Sequence, residues 1–97
     1  MVWVSNRSTG KITVSITTTT NSEGCGWNFT LEPKAHESWH DNCWPRSGDE
    51  TARVTLSDGT SKVFDVGPKK FVSIYDDAIV MWDAEVTQLD SSSCVTA

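Results

Sequence analysis

The chain has 97 residues, with 8 basic side chains against 13 acidic ones and a formal net charge of −5. That length gives one domain with one core and excludes a second, and the acidic balance works against nucleic-acid and anionic-lipid partners. Tryptophan is the compositional anomaly, five indoles standing against three Phe and one Tyr.

The opening Met1-Val2-Trp3-Val4-Ser5 has no basic region followed by an apolar run, and no stretch reaches membrane-spanning length. The expectation is a soluble, cytoplasmic protein, released if at all without a classical signal, whose sequons Asn6-Arg7-Ser8 and Asn28-Phe29-Thr30 go unmodified. After Val2-Trp3-Val4 and a turn over Asn6 to Gly10, Lys11 to Thr20 reads as the clearest strand. It carries Ile12, Val14 and Ile16 on one face and Thr13, Ser15, Thr17 and Thr19 on the other. Asn21-Ser22-Glu23-Gly24 ends it, and Trp27, Phe29 and Leu31 resume the alternation with Asn28 and Thr30 outward.

Glu32-Pro33-Lys34 interrupts the pattern, because proline has no ladder donor, and Ala35 to Trp39 is a shorter strand candidate. Ala52, Val54 and Leu56 alternate with polar neighbours up to Asp58-Gly59, a strong hairpin signal, and Ser61 to Val66 is the return strand. Gly67-Pro68-Lys69-Lys70 turns into a strand over Phe71 to Tyr75, and Asp76-Asp77 connects it tightly to Ala78 to Trp82. There the consecutive Ile79, Val80 and Met81 predict a core strand. Seven or eight short strands and no helix predict an all-β, antiparallel β-sandwich, or a small barrel, over residues 1–84, with 85–97 a frayed or disordered tail.

The segment from Cys25 to Asp49 concentrates the unusual chemistry. Trp39 and Trp44 flank His40, Asp41 and Asn42, with Arg46 close behind. An indole face suits the C–H patch of a pyranose, while Asp41, Asn42 and Arg46 can exchange paired hydrogen bonds with its hydroxyls, so these six residues form the predicted ligand site. The competing reading makes the tryptophans caps on the core and the polar groups partners for loop backbone. Trp3, Trp27 and Trp82 fall inside predicted strands and are expected to be buried.

Three cysteines are an odd number for a disulfide framework; a bridge between Cys25 and Cys43 is one option, and Cys94 in the polar tail reads as an exposed thiol. Cys25, His36, His40 and Cys43 have the ligand types of a zinc site but the spacing of no familiar module, so no metal is expected. Cys43 beside His40, or Asp41 with Asp49 or Glu50, offers the elements of catalysis without a scaffold large enough to orient them. No enzyme activity and no cofactor are expected.

The run Val2-Trp3-Val4-Ser5-Asn6, a β-branched second strand, then Trp27, Leu31-Glu32-Pro33, Glu37-Ser38-Trp39 and Arg46 resembles small tryptophan-rich single-domain β proteins of mushroom-forming fungi. The resemblance covers the first half of the chain and implies the functional territory of fruiting-body lectins and small defence proteins, with no site residues to carry over. The expected function is therefore lectin-like binding of a glycan or glycoconjugate, by a protein that gains avidity as a homodimer. The alternative is a membrane- or lipid-directed defence protein of cytolysin type, acting through exposed tryptophans.

Overall fold

A computed structural model describes residues 1–33 and 42–83. They form eight strands and, among the described residues, no helix: β1 (Val2–Asn6), β2 (Ile12–Ile16), β3 (Phe29–Leu31), β4 (Cys43–Trp44), β5 (Glu50–Thr55), β6 (Ser61–Val66), β7 (Lys70–Ile74) and β8 (Ile79–Asp83). The strands fall into two four-stranded sheets, ordered β4-β1-β7-β8 and β3-β2-β5-β6. The predicted strand over Ala35 to Trp39, the tail from 85 to 97 and Cys94 lie outside the described residues.

Alternation along the strands builds the core. Ile12, Val14 and Ile16 of β2, Leu31 of β3, and Ala52 and Val54 of β5 meet Val2 and Val4 of β1 and Val72 and Ile74 of β7 in one buried cluster. That cluster draws on both sheets and so defines their inner faces. Each buried Val or Ile stabilises the fold by about 1.5–3 kcal/mol relative to exposure, before the entropy of ordering it. Asn6 ties the two sheets together at one end: its Nδ2 donates to the Gly10 and Leu31 carbonyls, both at 2.9 Å, and its Oδ1 accepts from the Ser8 amide at 3.0 Å.

The all-antiparallel expectation fails at one pairing, because β1 runs parallel to β7, with Val2 opposite Lys70 and Asn6 opposite Ile74. Parallel strands need a long crossover connection, and here five other strands supply it. All five β1 residues are buried, as befits a strand flanked by β4 and β7 inside its sheet.

The two sides of the molecule differ. At the β3–β4 side the sheets are joined: Phe29 meets the Trp44 ring edge-on at 5.9 Å, and the Cys25 amide donates to the Cys43 carbonyl at 3.0 Å. At the β6–β8 side they diverge around a groove of about 540 Å³ lined by Leu56, Phe64, Tyr75, Ile79 and Met81 among others.

The Asp58-Gly59 hairpin forms as expected. The Gly59 amide donates to the Leu56 carbonyl, the Asp58 carboxylate accepts from the Thr60 amide at 2.9 Å, and Gly59 sits at φ 91°. The expectation that residues 78–82 are core is corrected. β8 is an edge strand whose Val80, Met81 and Trp82 are exposed, because β7 already lies between it and β1 and no described strand covers its far side.

Candidate functional site

Trp39, His40 and Asp41 of the predicted ligand site, like His36, lie outside the described residues. The other three are internal. Asn42 is buried and its Nδ2 donates to the Val4 carbonyl at 2.8 Å. Trp44 is completely buried in the core cluster, where its Nε1 donates to the Gly26 carbonyl at 3.3 Å, so neither face of this indole is open to a ligand.

Arg46 is also buried, for a reason rooted in backbone chemistry. Where β2 ends, carbonyls lose their ladder partners, and a guanidinium carries five donors in a fixed fork. Its Nε donates to the Thr17 carbonyl at 2.7 Å, Nη1 to those of Glu23 and Pro45 at 2.9 and 2.7 Å, and Nη2 to that of Ile16 at 3.2 Å. These bonds occupy the groups that a sugar hydroxyl would have used.

Glu50 faces Arg46 across 4.0 Å, both side chains being fully enclosed. Its Oε1 accepts from the hydroxyls of Thr17 at 2.5 Å and Thr19 at 2.6 Å, and its Oε2 from the Thr20 amide at 2.7 Å and hydroxyl at 2.6 Å. Burial alone would push the Glu50 carboxyl up, but these hydrogen bonds outweigh it and hold the group well below the usual carboxylate range. Burial likewise draws Arg46 down from its ordinary value, while the Glu50 carboxylate pulls the other way. The threonine run and these two charges fix the loop after β2 onto the start of β5.

The cysteine pairing differs from the option raised by the sequence. Cys43 is disulfide-bonded, and Cys25 is not its partner.

Exposed chemistry gathers instead on the outer face of the second sheet. Trp27, expected to be buried, is 54% exposed, and the Arg53 guanidinium lies 5.7 Å from its ring centroid. The alternation that placed Trp27 with Phe29 and Leu31 is broken at Asn28, whose φ of 54° lies in the left-handed region. Asn28 is held there by Ser15: its amide donates to the Ser15 hydroxyl at 2.8 Å, and its Oδ1 accepts from that hydroxyl at 3.0 Å. The chain therefore turns before β3 and delivers the indole to the surface beside β5.

Arg53 pairs with Ser15 on one side and Val63 on the other, and Thr51, two positions back on the same face of β5, pairs with Asp65. Thr51 and Asp65, with Thr17, Thr19, Asp49 and Glu50, line a shallow polar cleft of about 300 Å³. An exposed ring braced by a cation thus lies next to a cleft of hydroxyls and carboxylates. Trp27, Arg53, Thr19 and Asp65 are absent from the predicted set; the signal that could have found them was Asn28, a residue that tolerates positive φ, between Trp27 and Phe29.

Trp82 is the other corrected tryptophan, 46% exposed on the outer face of the first sheet and stacked on Phe71 at 5.0 Å with the planes 9° apart. Trp3 is buried as expected. No helix among the described residues is long and apolar enough to cross a membrane. Comparison of the chain with protein-family models, with characterised proteins and with solved structures gives no match in any of the three.

Proposed function

We propose that the protein is a carbohydrate-binding module of lectin type, built on a two-sheet sandwich, with its site on the outer face of β2, β5 and β6. The observation that carries this reading is the exposed Trp27 ring braced by Arg53 beside the Thr51–Asp65 cleft. The ring offers a flat apolar platform for the C–H face of a pyranose, and Thr19, Thr51, Asp49 and Asp65 offer hydroxyls and carboxylates to its rim. Arg53 holds the platform and adds a donor. Binding requires no reacting group or cofactor, and the likeness to fungal tryptophan-rich proteins points the same way.

A glycan array tests the class and names the sugar, with Trp27→Ala as the control that should weaken the signal. A full array with no hit above background overturns the reading. One observation favours the lipid-directed alternative, namely the exposed Val80, Met81 and Trp82 on β8. Yet Trp27 and Trp82 lie on the outer faces of different sheets, so one flat bilayer would not take both. Neutral and anionic vesicles separate the readings: a blue shift of tryptophan emission with vesicles, and none with sugars, favours lipid. The Cys43 disulfide favours an oxidising setting over the cytoplasm expected from sequence.

A further inference from the structure

Five of the six large hydrophobic side chains exposed among the described residues, namely Val63, Tyr75, Val80, Met81 and Trp82, lie along the β6–β8 side. Apolar surface concentrated at one edge of a small protein marks a place where something docks.

The four sheet edges are not equivalent. β3 and β4 are only three and two residues long and are joined to each other. β6 carries Lys62 and Asp65, charges that discourage strand addition. β8 alone presents an apolar run, Ile79 to Trp82, with neither proline nor an uncompensated charge, since Asp83 is paired with Lys70 at 2.5 Å. Its amides are also correctly directed. The Tyr75 amide donates to the Ala78 carbonyl, so alternation along an antiparallel pair points the backbone groups of Ile79, Met81 and Asp83 away from β7. Among the described strands β8 pairs with β7 alone.

We infer that β8 is a homodimer interface, occupied by β8 of a second copy in antiparallel register about a two-fold axis at Met81. That register pairs all five residues: Met81 meets itself, Val80 meets Trp82, and Ile79 meets the Lys70-neutralised Asp83. A second copy satisfies the requirement that a two-fold contact be self-complementary, since Met81 meets its own copy and the apolar Val80 meets the apolar Trp82 on both sides of the axis. The first sheet becomes an eight-stranded sheet continuous across the axis.

An axis that joins two sheets edge to edge stands perpendicular to them, so the second sheet of each copy lies on the same side of the joined sheet. Both Trp27–Arg53 faces therefore point in one direction. Two weak sites presented side by side engage a surface of repeated ligands with an avidity that neither reaches alone. The interface itself does not depend on what those faces bind.

The test is sedimentation velocity on the full chain from about 1 to about 100 µM, with Met81→Lys and Met81→Glu. The parent is expected to reach a dimer within that range. Each variant places two like charges opposite each other at the axis and should shift the dimer dissociation constant by at least about tenfold towards monomer. An equimolar mixture of the two should restore the dimer, a recovery that misfolding cannot produce. Met81 is 39% exposed, and a far-ultraviolet circular dichroism spectrum matching the parent checks the fold of each variant. A parent that stays monomeric throughout, as it would if the chain's own following residues covered β8, overturns the inference. So do variants that dimerise like the parent, or folded monomeric variants whose mixture does not pair. Monosaccharide binding by the monomeric variants tests the carbohydrate reading separately.

Discussion

Replacing Trp27 by alanine removes a ring that contributes little to the core, so the thermal midpoint should stay close to that of the parent while sugar binding weakens by about 1–3 kcal/mol. Trp44→Ala should do the reverse, costing about 3–5 kcal/mol of folding stability in a denaturant titration, because that ring is fully enclosed against Phe29 and the core. Glu50 yields a prediction in pH. Its folded-state pKa is depressed below the unfolded value of about 4.3, so its contribution to stability is fully present above that value and is lost as pH falls through the acid range below it. Glu50→Gln should therefore cost roughly 2–4 kcal/mol at neutral pH, and parent and variant should converge in urea titrations carried towards pH 2. A penalty that stays constant with pH would show that the amide's shape, and not the missing charge, is responsible. The predicted site residues Asn42 and Arg46 show why this scale was hard to read: a short polar side chain near a strand end serves a ligand or a stranded carbonyl equally well, and only the position of Thr17, Ile16 and Glu23 in space decides between them.

At the scale of elements, the glycine-bearing turns separate backbone strain from crowding. Gly59 and Gly24 have φ of 91° and 89°, yet a Cβ on Gly59 would meet nothing within 4 Å, whereas one on Gly24 would lie 2.3 Å from Pro45 Cδ and 2.8 Å from the Cys43 carbonyl. Gly59→Ala should cost about 1 kcal/mol for its left-handed conformation, and Gly24→Ala distinctly more, both read from chemical denaturation midpoints. Strands were legible where one face is apolar and the other polar, as in Ile12 to Ile16 and Ala52 to Thr55, because the two-residue period reports burial directly. β8 misled for a related reason: consecutive apolar residues signal a strand covered on both faces, and nothing in that pattern distinguishes it from an edge strand whose side chains stay exposed. Trp27 was misplaced because one left-handed residue shifts the parity of everything before it.

For the molecule as a whole, the parallel pairing of β1 with β7 makes the topology dominated by contacts distant in sequence. Refolding from denaturant, followed by stopped-flow tryptophan fluorescence, should accordingly fall in the millisecond-to-second range of β proteins and not in the microsecond range of helical bundles. The same pairing governs the chain during its synthesis. Val2-Trp3-Val4 is made well before its parallel partner, which begins at Lys70, so at roughly 5–20 residues per second the nascent strand waits several seconds with one edge unpaired. A sheet connected in this order cannot be completed piece by piece as it emerges, because β1 keeps one edge open until β7 has been made.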